Sequence, residues 1–343
     1  VENKTYIHTR FFTNIDCISV LTQDKIPRIN IYLFVIMSHL SFFWLKAENE
    51  KIIKGLESEF CTLVKETVKH NTLSLPPIPE VLAKLHTLCN DEETTVRDVA
   101  DLLLDDPSLA ASIIRTSNTI MFNRRNIICH DLQTAVSRLG IMRVRDIATA
   151  QAIDELKNNT HCFEHECNIT LSNSAMRSRQ LAGTMALICQ GFIKTSTKPF
   201  RLEPEKALLV GLLADIGLFG LINEYQNYLN NGNYLDLDIA ICIFQHCCTE
   251  ASPIVLKHWG FDKDYIEVSS NKKMPYCNEQ NTSYLDIARM ANHLLLFKNN
   301  DDAIEDHYVE MDLTGAEVMY ELTNLSDRDF DSELQSVMKS CGL

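Results

Sequence analysis

Glycine and proline are scarce in this sequence, at 11 and 9 of 343 residues. A turn-rich all-β fold needs many tight turns, so their scarcity argues against one and favours long helices. No Gly-x-Ser-x-Gly, Walker or Gly-x-Gly-x-x-Gly motif occurs, which leaves serine-hydrolase, P-loop and dinucleotide-binding chemistries without support. Aromatics interleaved with many basic residues are missing too. The tight basic groups are Arg124-Arg125 and Arg143/Arg145, on a chain of net charge −14. Such a chain does not attract phosphates over its whole surface, so no nucleic-acid partner is expected. A three-part secretory signal is also absent. The 12 cysteines are scattered through helix-like segments, and reduced thiols in a cytoplasm are the expectation.

What is present is mostly apolar and helical. Residues of the apolar class make up 45%, a globular composition. The charge is uneven. Residues 301–343 hold twelve acidic and two basic side chains, a net of −10, read as a solvated face with a soluble tail. Residues 1–36 show no hydrophobic period, and Met37 is the first methionine. Residues 1–36 are therefore read as a non-native upstream extension, with the start at Met37 and a leader helix over 37–70. The apolar run Ile29–Leu45 is about 17 residues and includes polar positions, short of the roughly 20 of a spanning helix, so a membrane anchor is the minority reading.

From Leu75 onward the punctuation is clear. Leu75 to Pro79 is an extended lead-in. The periodicity predicts a helix over Glu80–Asn90, with Val81, Leu82, Leu85, Leu88 and Cys89 on one stripe. Thr95 with Asp98 resembles a capping box for Val96–Leu104. Asp106-Pro107 opens another helix, with Asp106 as N-cap. Asp131 caps one that ends at Gly140, and Ile141–Leu156 continues. Further helices are expected at Thr170–Gln190, Pro204–Glu224, Ile239–Trp259, Tyr284–Phe297 and Gly315–Leu322. The fold class is all-α, each stripe burying against another helix.

Four segments resemble the HDOD (HD-related output domain) family, in order. They are LPPIPEVLAKL (75–85), DDPSLAASIIRTSN (105–118), AVSRLGIMRVRDIATAQA (135–152) and VGLLADIG (210–217). The resemblance covers 71–275, with 276–343 read as C-terminal helices completing the HD-like lobe plus the acidic tail. It implies a helical HDOD fold in which a smaller N-terminal helical lobe packs on an HD-like bundle. It implies bacterial signalling beside two-component or cyclic-dinucleotide proteins, and no established catalysis. In the HD phosphohydrolases, His and Asp side chains hold divalent metal. Carried onto this sequence, those positions fall at Asn173, Ala214, Asp215, Cys248 and Asn292. A methyl group at 214 cannot ligate a metal, so no metal, cofactor or catalytic residue is expected. Asp215 is expected to be structural, bonded to a helix N-terminus or to Asn173.

Other constellations are weaker. His161 and His165 share a helical face, but Asn158-Asn159-Thr160 reads as a loop, so a surface loop is preferred to a zinc site. His246-Cys247-Cys248 point in different directions on a helix, and buried cysteines behave as small hydrophobes. Arg143 and Arg145 are candidate ligand or partner contacts, with ion pairing as the simpler role. The preferred expectation is a non-catalytic cytoplasmic signalling module acting through a protein partner or a small ligand in a vestigial HD cleft. The alternative is a divergent metal-dependent HD phosphohydrolase.

Overall fold

The structure is a computed structural model. It describes residues 40, 54–70, 72–73, 79–120, 122–123, 125–159, 165–196, 200–272, 282–299, 309 and 311–340. The expectations for 1–36 and for most of the 37–53 leader, for 75–78, for Arg124 and for the 161–164 part of the His/Cys group lie outside those residues. Among the described residues every regular element is a helix, so the all-α class holds.

Five helices come first. They are α1 (Glu59–Lys69), α2 (Glu80–Cys89), α3 (Val96–Leu103), α4 (Pro107–Ser117) and α5 (Leu132–Leu139). Their starts follow the capping chemistry in the sequence. The Thr95/Asp98 capping box is complete, and Asp106 accepts from the Ser108 and Leu109 amides. Asp131 accepts from Thr134 N, and α5 stops at Gly140, whose φ of +84° favours glycine. Of these, α2, α4 and α5 pack on α6 (Ile141–Asn159), which leads into the second lobe, α3 packs on α2 and α5, and α1 packs instead on the second lobe's helices Leu218–Asn230 and Leu237–His258.

That lobe is organised around α7 (His165–Thr195), a 31-residue helix. Against it pack α8 (Pro204–Leu213), α12 (Tyr284–Lys298), α13 (Leu313–Asn324) and α14 (Asp327–Ser340). The remaining elements are α9 (Leu218–Asn230), α10 (Leu237–His258) and α11 (Lys263–Ser270). The segments Pro204–Asn230 and Leu237–His258 are long and apolar enough to cross a bilayer, but here they are mostly buried inside the protein. Their apolar surface is used by the core.

Two expectations need correction. One continuous helix was expected over Pro204–Glu224, yet it breaks at Ala214–Gly217 into α8 and α9. At the break α10 comes close to Gly217, where a Cβ would lie 2.6 Å from the Ser252 amide nitrogen. Residues 327–340, read as acidic tail, form α14, whose Phe330, Leu334, Val337 and Met338 are buried. Leu334 and Met338 lie over Gly183 of α7, where a Cβ would sit 2.5 Å from Leu334 Cδ2. The i, i+4, i+7, i+8 spacing of those four residues is the signal, and the charges between them hid it.

Candidate functional site

Asp215 sits in the break between α8 and α9 and is 1% exposed. A carboxylate that deep must be neutralised or protonated. Here it is neutralised from within the chain. Lys157 Nζ, on α6, donates to Asp215 Oδ1 at 2.6 Å, and Lys157 is itself 2% exposed. Two serines one turn apart on α7 also bond Asp215. Ser174 Oγ donates to Oδ2 at 2.5 Å and Ser178 Oγ to the same oxygen at 2.9 Å. Lys157 Nζ also donates to Ser178 Oγ at 3.1 Å.

The helix break shapes the same place. The Leu218 amide donates to Asp215 O at 2.9 Å. The Gly217 amide donates to Ser252 Oγ at 3.0 Å, and Cys248 Sγ lies 3.2 Å from that hydroxyl. Cys248 is fully buried, and burial pushes its thiol far above the ordinary range, with the nearby Asp215 charge adding to the rise.

The expected positions therefore meet only in part. Asp215 and Cys248 are neighbours, and Ala214 is fully buried beside them. Asn173 is half-buried on α7, but the residue bonded to Asp215 is the next one, Ser174. One residue on a helix is a 100° rotation, so Asn173 lies on a different face from Ser174 and Ser178. Asn292 is buried on α12, with its side-chain oxygen lacking a hydrogen-bond partner among the described residues. The expected partners of Asp215 were Asn173 or a helix N-terminus; the bonds found are to Lys157, Ser174 and Ser178. Lys157 was missed because it lies outside every motif. Its signal is a lysine on the inward side of an otherwise core-facing stretch.

These residues do not fit a divalent metal. Ala214 and Ser174 offer no imidazole, and an ammonium already stands against the one carboxylate. A cation brought there would face Lys157 as well as Asp215. A hydrolytic metal also needs an open position for water, and Asp215, Lys157 and Cys248 are all sealed from solvent.

Arg143 and Arg145, the candidate contacts, separate. Arg145 is 1% exposed, contrary to a ligand-facing role. Its Nε and Nη2 donate to Asp146 Oδ1 at 2.8 and 2.6 Å, and Nη1 donates to Gly260 O at 2.9 Å. Its guanidinium lies 4.3 Å from the centre of the Phe261 ring, and Tyr265 Oη donates to Asp146 Oδ2 at 2.7 Å. His86 joins the same junction. Its Nε2 lies 2.9 Å from Thr149 Oγ1 and its Nδ1 3.2 Å from Trp259 O. Burial lowers its pKa to about 4. This network fastens α2 and α6 to the turn after α10. Arg143 instead reaches the surface, where it pairs with Glu203.

Comparison with known proteins agrees with this architecture. A structure from Shewanella amazonensis, described as "Putative metal-dependent phosphohydrolase", is similar at a TM-score of 0.56 and 19% identity, covering 82% of this chain and 98% of that one. An HDOD domain protein of unknown function from Geobacter sulfurreducens gives 0.44 and 18%, covering 82% and 97%. A Marinobacter aquaeolei structure described as "Putative signal transduction protein" gives 0.43 and 18%, covering 79% of this chain and 60% of that one. Among curated proteins there was no match. The family model of the HDOD domain matches residues 75–275, which is more than half of the chain. By that match, with the helical architecture beside it, this chain belongs to the HDOD family.

Proposed function

We propose that this protein is a non-catalytic HDOD regulatory module. It acts through a protein partner or a small ligand, in the setting of bacterial two-component or cyclic-dinucleotide signalling. The observation that carries the reading is the Lys157–Asp215 pair, which fills with a fixed ammonium the place a hydrolase gives to a metal. The surrounding hydroxyls of Ser174 and Ser178 satisfy the carboxylate but supply no base and no metal ligand of a hydrolytic site.

The Shewanella relative's description concerns that protein, and at 19% identity it supports the fold alone. A hydrolase reading of this chain would need a metal on Asp215 without a neighbouring histidine. The discriminating assay uses full-length protein purified without a metal-affinity tag. Metal content is measured, then hydrolysis of phosphomonoesters and cyclic dinucleotides is screened with added Mn, Fe, Zn or Mg. The expected result is below about a tenth of a metal per chain and no turnover. Near-stoichiometric metal, with turnover lost in Asp215→Asn, would overturn the reading.

A further inference from the structure

A second concavity has none of the Asp215 site's residues in its lining. It lies where the loop after α4 and the start of α6 meet the end of α7 and the start of α8. Its volume is about 690 Å³, within the range of small-molecule sites.

Its charge runs against that of the chain. Arg125, Arg138, Arg143 and Arg201 line it, with Glu203 and Glu205 as the carboxylates. Four cations against two anions leave a surplus of two positive charges, on a protein of net charge −14. The four arginines are held differently. Arg138 is built into the wall, donating to Ser117 O at 2.9 Å and Ile127 O at 2.8 Å. Arg143 lies over the Phe122 ring, 5.6 Å from its centre, and pairs with Glu203 across the cleft. Arg125 and Arg201 are exposed, and among the described residues neither side chain has a hydrogen bond or ion pair. The N-terminus of α8 opens on the same space, and Glu203 at its N-cap makes no side-chain capping bond. Guanidinium forks and uncapped helix amides both suit an anion with several oxygens.

Apart from Asn123, the rest of the lining is apolar. Ile127 and Ile193 are 60% and 51% exposed, and Phe200 stacks on Phe192 with ring centres 4.8 Å apart. Hydrogen bonds hold the described residues of the loop after α4 in place. Asn118 Nδ2 donates to Cys129 O and the Cys129 amide donates to Asn118 Oδ1, both at 2.7 Å. The Ile127 amide donates to Asn123 Oδ1 at 2.9 Å. A prebuilt wall lowers the ordering cost of a ligand.

We infer that this cleft binds a small phosphate ester bearing a flat apolar group, a nucleotide being the simplest form, and that its phosphate takes Arg143 from Glu203. The exchange breaks a contact between the starts of α6 and α8, so ligand binding acts on how the two lobes meet. This inference is independent of whether the Asp215 site is catalytic, and it has its own readout.

Calorimetric titration of the full chain tests it. The probes are AMP, GMP, CMP, UMP and phenyl phosphate, with inorganic phosphate and the four nucleosides as controls. At least one ester is expected to bind about tenfold tighter than inorganic phosphate and than its nucleoside, and to weaken as salt rises. Arg125→Ala with Arg201→Ala should weaken it by about tenfold at an unchanged melting temperature, since both side chains are exposed and unpartnered. Glu203→Gln, which removes the internal competitor, should tighten it several-fold, a gain that a merely structural ion pair would not give. Absence of ester binding at about 1 mM, equal binding of nucleosides, indifference to the double arginine change, or no tightening in Glu203→Gln would overturn the inference.

Discussion

At Asp215 the ammonium that stands against the carboxylate matters more than the methyl group beside it at Ala214. Asp215 is a carboxylate in the core, and a buried charge without a partner costs several kcal/mol. Lys157 resolves this by bringing its own charge, and two serines supply further donors. Removing one partner should therefore be far worse than removing both. Lys157→Met is expected to cost about 3–5 kcal/mol in a urea melt, and adding Asp215→Leu should return much of that loss. Equal, additive losses for the two changes would show that the pair is not a coupled unit. His86 gives a second expectation. It is neutral in the folded protein, with its pKa lowered to about 4 from the ordinary 6.5. Between those values the unfolded chain binds a proton that the folded chain does not. The contribution to stability is full above about pH 6.5 and lost as pH falls toward 4, by up to about 3 kcal/mol. Melting temperatures followed from pH 7 to about 4 should fall more steeply in the wild type than in His86→Gln.

Among the helices, the caps were the most legible feature. Asp106, Asp131 and Thr95 announced their helices, because a capping side chain and the first turn are close in sequence. The break at Ala214–Gly217 was not legible, and the contact found there, Ser252 of α10 against Gly217, comes from 35 residues away. Neither was the helix α14, since four core residues were set among acidic ones. Leu334→Ala tests whether α14 belongs to the core. It should open a hole above Gly183 and cost about 2–5 kcal/mol, with faster proteolytic cleavage in residues 327–340. A change within about 0.5 kcal/mol would return that segment to the status of a tail. Asp215 and Cys248, placed from the family resemblance, lie together, while Lys157, Ser174 and Ser178 had no such pointer. Ionic and hydroxyl partners brought together from three elements leave no spacing to read.

Taken whole, the molecule joins two helical lobes through a buried polar junction and gathers four arginines in a cleft between them. Arg145, Asp146, Thr149 and His86 hold the lobes from within, buried and mutually bonded. Arg143 and Glu203 meet at the rim, where a ligand can compete. Under the proposed function, Lys157 occupies the place of a metal. Crystals of the protein soaked in manganese, with anomalous data collected at its absorption edge, decide between the two. The expected map shows Lys157 Nζ against Asp215 and no anomalous peak there. A peak within coordination distance of Asp215, with the lysine displaced, would contradict it.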